Sequence, residues 1–455
     1  MTSVVALTID AILPALDGIS DDLGFADPSD RQLLIFAVFV GMGLAQPVFG
    51  PLSDAIGRRW TATVGWVIYG IGTVIAMTAP GLTTILLGRF LQGVGAAGPR
   101  VVATAIVRDL YDGRPMARII SLVMTVFMLV PMIAPLIGQQ MEFLGGWRAI
   151  FILYLAMGCV CVTIHLGLIP ETLTEENRRP LSFAPLARAF SEALTTKTTM
   201  LYTLASAAIF GAFAAMLGSA QQVFEELLGL GDLFPLAFAS VALMIAVAQI
   251  LNSRLVMRFG MRFLSRVSAV IVVIGGSVSA VLTITLYGEI PSLWLFLLTM
   301  APVFIGSGLM FSNLTALALE PLGHIAGTAS AVVMSVSSLL AVPLGIWVAS
   351  LIDGTVVPLR WGFAGFGALT LVFILAADWV RQGHHPHPEC RRPHRTLPWR
   401  GGRGAVLRPS ARRHPGRWRI DRCHCRHRRR HWRYTGRRPE RARQSTRRRG
   451  RCRTG

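Results

Sequence analysis

Gly50-Pro51-Leu52-Ser53-Asp54-Ala55-Ile56-Gly57-Arg58-Arg59 decides how this chain must be read. The run before it, Leu33 to Phe49, carries no charge, and neither does the run after it, Trp60 to Leu87. A charged turn between two membrane-length apolar runs reads as a helix reversal at a bilayer surface. Its two glycines allow a sharp bend. Asp54 is placed to cap or face a helix N-terminus, and Arg58 and Arg59 to sit among anionic headgroups.

The rest of the composition agrees. Of 455 residues, 53% are hydrophobic and 15% charged, and the mean hydropathy is +0.55. A soluble chain of this length carries far more surface charge. Twelve apolar spans are predicted, at 1–16, 33–52, 60–79, 82–106, 117–141, 148–169, 201–222, 234–254, 265–287, 292–319, 325–350 and 360–380. The class is therefore an all-α membrane protein with twelve transmembrane helices. The longest internal loop, 170–200, splits them six and six: an N-terminal half (1–169), a central loop, and a C-terminal half (201–380). The first span is short, with only 16 residues before Asp17 and no basic lead-in. That is expected of a short helix, or of a start internal to a longer gene.

The net charge of +20 belongs to the tail. Residues 381–455 hold 26 arginines against three acids, a net +23, while the other 380 residues carry 18 basic and 21 acidic side chains, a net −3. The tail reads either as a disordered basic segment able to meet anionic lipid or nucleic acid, or as an out-of-frame reading of a GC-rich gene. Its lack of lysine and of nearly all aliphatic residues favours the second. Cys423-His424-Cys425 fits no standard zinc spacing. Cys159 and Cys161 read as small packing residues.

Orientation follows from the loops. Thirteen Lys and Arg lie in the loops after spans 2, 4, 6 and 8, against three (Arg31, Arg148 and Arg360) on the other side. This places both termini in the cytoplasm. Leu255 to Arg262 echoes Leu52 to Arg59 at an offset of 203 residues, with the leucine, glycine and arginine kept and the aspartate lost. A parallel repeat of the two halves is the expected source.

Two charges lie inside spans. Asp10, in Leu7-Thr8-Ile9-Asp10-Ala11-Ile12-Leu13-Pro14, costs roughly 2.5–3.5 kcal/mol to insert and should face a cavity or a partner, with snorkelling to the nearby interface as the competing reading. Arg89, in Gly88-Arg89-Phe90-Leu91-Gln92-Gly93, lies about seven residues deep from the same face, roughly 10 Å along the helix. The two are expected to pair, with protonation of Asp10 releasing Arg89; a static ion pair that orders the helices is the competing reading. Gly88, Gly93, Gly95 and Gly98 offer a smooth face for close packing. In span 5, Pro131 and Pro135 bend the helix and Gly138 allows close approach, serving either the cavity or packing alone. Gln46, Gln249 and Asn313 read as interhelical hydrogen-bond partners, and His165 as interfacial. Phe210, Phe213, Met216, Phe238, Met244, Met310 and Phe311 are expected to pack in the core or face lipid, with a greasy drug pocket as the alternative.

The segment at 50–59 closely resembles the loop 2–3 signature of the major facilitator superfamily, G-x-L-x-D-x-x-G-R-R/K, at every fixed position. Asp10-x-x-Leu13-Pro14-Ala15-Leu16 resembles the first span of the bicyclomycin/chloramphenicol-resistance (Bcr/CflA) branch of drug:proton antiporters. Arg89 to Gly93 is similar to the span-4 motif of proton-coupled facilitators. Pro131 to Gly138 is similar to the antiporter motif of span 5 but departs from its G-P-x-x-G-G form. Ala326 to Ala331 resembles that branch's entry to span 11. The resemblance covers residues 1 to about 380 and implies the two-half major facilitator fold working by alternating access. A proton would enter as a drug leaves, with Asp10 and Arg89 coupling them and Gln92, Pro131, Pro135 and Gly138 lining the cavity. Gly50, Asp54, Gly57, Arg58 and Arg59, with Arg108 and Asp109 as partners, would form a cytoplasmic gate, mainly on the N-terminal half because the echo lacks an Asp54 counterpart. The expected partners are a small amphipathic drug or metabolite, protons and the lipid bilayer of a bacterial inner membrane, acting on a monomer. No cofactor is implied beyond the proton gradient, no metal ligand set stands out, and nucleic acid is not expected. A facilitator or proton symporter importing one solute shares every fold feature. With no Ser/His/Asp, metal or nucleotide motif, an enzyme is not expected.

Overall fold

A computed structural model describes residues 1–25, 27, 30–111, 113–178, 183–287 and 290–382. All lie in one compact unit, Met1–Glu389. The tail, from residue 383 on, falls outside the described residues.

The described residues form helices and no strand, with twelve long spans. Span 1 runs Thr2–Leu23 and span 2 Asp30–Ile56. Spans 3 to 6 are Arg58–Met77, Leu82–Leu110, Gly113–Gly145 and Trp147–Leu168. Spans 7 to 9 are Lys197–Gly218, Phe234–Phe259 and Met261–Leu282. Spans 10 to 12 are Leu293–Leu319, Ala326–Ala349 and Val357–Gln382. Exposed side chains along them are largely apolar (Ile71, Ile152, Ile274, Leu298, Val372), as a lipid-facing surface must be. Exposed tryptophans mark both ends, Trp60 and Trp379 at one and Trp294 and Trp361 at the other, where amphipathic rings meet headgroups.

The packing repeats with a shift of six spans. In the first half, span 4 packs on spans 2 and 3, span 3 on span 6, and span 1 on span 5. In the second half, span 10 packs on spans 8 and 9, span 9 on span 12, and span 7 on span 11. The halves meet through span 2 on span 11 and span 5 on span 8, a pair that the same shift exchanges. The glycines of span 4 allow close packing, but on two sides of the helix and not on one smooth face. A Cβ on Gly93 would lie 2.1 Å from the Val38 carbonyl oxygen of span 2, and one on Gly95 2.3 Å from the Tyr69 nitrogen of span 3.

Three boundaries differ from the sequence reading. Span 1 does not end at 16. Pro14 has no N–H for the Asp10 carbonyl, so the helix breaks after Asp10, tightens into a short 3-10 turn (Leu13–Ala15) and resumes as Leu16–Leu23. The acids there do not stop it, because Asp17 pairs with Arg31, and Asp22 accepts from Trp147 and Arg148 at the start of span 6. The turn at 50–59 is shorter than read: Gly50 lies inside span 2, and Gly57 alone, at φ +96°, makes the reversal. The loop at 170–200 contains a helix, Phe183–Thr195, that packs on span 11. It places Phe190 and Ala193 against Leu322, Ala329 and Val332.

Candidate functional site

The break in span 1 organises the N-terminal interior. The Thr8 carbonyl takes Arg89 Nη2–H at 3.0 Å and Tyr154 O–H at 3.3 Å. Arg89 Nε–H donates to the Leu34 carbonyl at 3.1 Å and Nη1–H to Gln92 Oε1 at 2.9 Å. Gln92 in turn donates to Thr73 Oγ1 at 2.9 Å. One guanidinium, fully buried, thus ties spans 1, 2 and 4 together, and Gln92 extends the chain to span 3. Thr8 donates its hydroxyl to the Val4 carbonyl and so receives Tyr69 O–H, at 2.7 Å each.

Asp10 is 5% exposed, two residues beyond Thr8. The expected Asp10–Arg89 pair is not made. Arg89 is satisfied by two carbonyls and an amide, and Asp10 has neither ion pair nor hydrogen bond among the described residues. The two are linked indirectly, through the backbone of the broken turn. Gln92 likewise looks toward Arg89 and Thr73 inside the half. In span 5, Pro131 is half-buried and Pro135 and Gly138 are buried. Gly138 sits so close to span 1 that a Cβ would lie 1.8 Å from the Ala11 carbonyl oxygen. It therefore locks span 5 onto the broken turn beside Asp10.

Where the halves face each other, Phe39 of span 2 meets Phe210 of span 7 at 5.6 Å between ring centroids. Phe311 of span 10 meets Phe213 at 5.6 Å and Phe210 at 6.5 Å. The Phe39–Phe210 contact joins the halves, and Phe213 and Phe311 pack on Phe210 within the C-terminal half, partly buried against the core. The amides act as interhelical partners, as read: Asn313 donates to Asn252 at 2.8 Å, and Gln249 accepts from Ser312 at 3.0 Å. Gln46 is an exception, buried with its Oε1 unpartnered among the described residues. His165, in the last turn of span 6, is buried, and neither ring nitrogen has a hydrogen-bond partner among the described residues. Cys159 is exposed, not packed. Arg100 of span 4, beside Met42 at 3.4 Å, escaped the sequence reading, although a charge in Gly98-Pro99-Arg100-Val101-Val102 was visible.

At the 50–59 turn the structure assembles a clamp. Arg58 binds Asp54 at 2.6 Å, Asp109 at 2.9 Å and Ser53 Oγ at 2.8 Å. The side chain of Arg108 lies outside the described residues. The helix cap comes not from Asp54 but from Glu171, after span 6. Its carboxylate accepts the backbone N–H of Arg58 at 2.9 Å and of Arg59 at 3.0 Å, the first two donors of span 3. Leu173 N–H adds a third bond at 3.1 Å. Partial burial pushes the Glu171 carboxyl up, but these donors and the charge of Arg178 outweigh it and hold the group below its usual range. Arg59 donates to the Leu166 carbonyl.

The clamp is not confined to the N-terminal half, as the missing aspartate had suggested. In the C-terminal half, Glu320 at the end of span 10 takes Arg262 at 2.9 Å and Arg381 at 2.8 Å. Asp378 of span 12 takes Arg266 Nε–H at 2.8 Å and Tyr202 O–H at 3.0 Å. Arg262 is the counterpart of Arg59 in the echo, and Glu320 ends span 10 as Asp109 ends span 4. The repeated arginine was the signal; its partners, far along the chain, were not legible.

Two six-helix halves around a facing interface, each half clamped at one end by repeated charges, define a solute transporter. The chain belongs to the major facilitator superfamily, whose family model matches residues 1–342. It is 30% identical over 331 residues to an uncharacterized MFS-type transporter, YdgK, of Bacillus subtilis, covering 71% of this chain and 80% of that one. It is 30% identical over 373 residues to a bicyclomycin resistance protein homolog of Haemophilus influenzae, covering 81% and 91%. It is 29% identical to a chloramphenicol resistance protein of Pseudomonas aeruginosa, covering 77% and 82%. The fold matches the partially occluded inward-open xylose transporter XylE of E. coli at a TM-score of 0.64 and 14% identity, covering 82% of this chain and 95% of that one. The relatives are those of the resistance branch that the sequence resembles, and the protein is a transporter, not an enzyme.

Proposed function

We propose that this protein exports small amphipathic drugs or metabolites across a bacterial cytoplasmic membrane, exchanging them for protons by alternating access. The observation that carries the coupling is Asp10: a carboxyl buried inside a membrane span, at a helix break, with no hydrogen bond or ion pair among the described residues. A buried, uncompensated carboxylate is costly inside a membrane span, which makes Asp10 the proposed site of proton exchange. Ionisation would place a negative charge two residues from the Thr8 carbonyl that Arg89 holds. The guanidinium then has a stronger partner within the same broken turn, and span 1 must shift against spans 2 and 4 to reach it. The resistance names of the relatives support export rather than import.

The excess of Lys and Arg at the Gly57 end supports a cytoplasmic location for that end and both termini, with halves at about 1–169 and 201–380. The Phe39–Phe210–Phe311 surface is the proposed apolar wall for substrate, and Pro131, Pro135 and Gly138 hold span 5 against its neighbour. The two clamps keep each half rigid at its cytoplasmic end. In everted vesicles carrying an imposed proton gradient, adding substrate should dissipate the gradient, and Asp10→Asn should abolish that response while leaving substrate binding in place. Full proton-linked transport by Asp10→Asn sinks the assignment.

A further inference from the structure

The end of the molecule opposite the Gly57 turn carries a contact that neither half can make alone. Arg31, in the first turn of span 2, binds two carboxylates: Asp17 of its own half, and Glu226 of the other half at 2.8 Å, in the segment between spans 7 and 8. Five residues further along span 2, roughly 7.5 Å toward the membrane centre, Phe36 is 1% exposed. Its ring lies in a notch cut by the absence of two side chains. A Cβ on Gly218 of span 7 would sit 2.8 Å from Phe36 Cζ, and one on Gly345 of span 11 would sit 3.1 Å from Cε1. Both glycines belong to the C-terminal half. Two further hydrogen bonds cross between the halves at the same end, Gln139 to the Asp232 carbonyl at 3.2 Å and Gln221 to the Pro14 carbonyl at 3.5 Å.

We infer that Phe36 seated in the Gly218–Gly345 notch, with the Arg31–Glu226 ion pair above it, is the plug and lid that close this end of the transport path. A ring with backbone-close neighbours from two opposing helices stays buried only while those helices stand together, so rocking the halves apart must withdraw it and expose it. The ion pair makes the closed register specific, because a carboxylate from the other half must come within hydrogen-bond reach of a fixed guanidinium. Asp17 keeps the lid reversible. When Glu226 leaves, Arg31 retains a partner in its own half, so opening does not leave the guanidinium without a carboxylate.

The inference rests on the alternating-access reading, but its test needs neither substrate nor gradient. In the full chain with its native cysteines replaced, spin labels at Leu144→Cys and Ile290→Cys, exposed on opposite halves at this end, report the gap in lipid nanodiscs. Glu226→Gln should raise the population of the wide distance about two- to fivefold, the worth of a partly exposed ion pair. Asp17→Asn, which removes a carboxylate partner within the half, should leave the population within about twofold of the parent. Phe36→Ala should raise it about tenfold or more. Gly218→Ala tests the notch without emptying it, since its methyl displaces the ring, and should shift the population the same way. The inference is overturned if Glu226→Gln leaves the gap unchanged, if Asp17→Asn widens it as much as Glu226→Gln does, or if neither Phe36→Ala nor Gly218→Ala widens it. Loss of drug efflux with these distances behaving as expected would count against the export reading and not against the gate.

Discussion

Gly57→Ala tests the clamp at its most constrained atom. Gly57 sits at φ +96° and ψ 163°, a region open essentially to glycine, where another residue costs of order 1–3 kcal/mol. The new Cβ would also stand 2.5 Å from Glu171 Oε2, so the carboxylate must move. It then gives up its bonds to the Arg58 and Arg59 N–H groups. Hydrogen bonds to a charged group are worth about 1.5–3 kcal/mol when buried, and less for this partly exposed carboxylate. A total loss of about 2–5 kcal/mol follows. Equilibrium unfolding in mixed detergent–SDS micelles measures it for Gly57→Ala, Glu171→Gln and the double variant. Because the steric part runs through Glu171, the double variant should fall short of the sum of the singles by about 1 kcal/mol or more. Strict additivity, or a Gly57→Ala protein as stable as the parent, would refute the argument that one glycine serves both the reversal and the cap.

Three further outcomes are expected. Gly138→Ala should destabilise the protein by about 1–3 kcal/mol through its clash with the Ala11 carbonyl, and should lower transport more than stability by displacing the turn that carries Asp10, seen as efflux loss at unchanged membrane abundance. The Glu171 carboxyl is held below its ordinary value of 4.5 in the folded protein, so the stability it adds is present above that pH and lost as pH falls through the folded value; Glu171→Gln should flatten unfolding midpoints across that acid window. Truncation after Gln382 should leave efflux across an antibiotic panel unchanged, since the spans and both clamps lie within residues 1–382.

Much of the site's chemistry is written locally. Asp54, Arg58 and Asp109 were legible as a group because each ends an apolar run at the same side of the bilayer, and the structure joins them. The glycines of span 4 were legible as close-packing positions, but not on a single face: Gly88 and Gly95 stand against span 3 and Gly93 against span 2. Glu171 was not, because it reaches Arg58 across 113 residues of chain, and a loop acid looks like any other until span 6 is set beside span 3. The Asp10–Arg89 pairing was a reasonable expectation from depth alone. It failed because the Thr8 and Leu34 carbonyls and the Gln92 amide take the guanidinium instead, and backbone acceptors leave no trace in side-chain patterning.

The sequence by itself determined the number of membrane spans, the two-half repeat, a reversal within residues 50–59 and the presence of the intramembrane charges Asp10 and Arg89. These follow from the cost of placing polar atoms in hydrocarbon, which acts residue by residue. Only the tertiary structure decided the partners: that Arg89 holds a backbone carbonyl, that Glu171 caps span 3, that Glu320 and Asp378 give the C-terminal half a clamp of its own, and that Phe36 fits a notch made by two glycines of the opposite half. Those contacts depend on how rigid helices stand against one another, and helix packing is set by many small surfaces at once rather than by any stretch of chain.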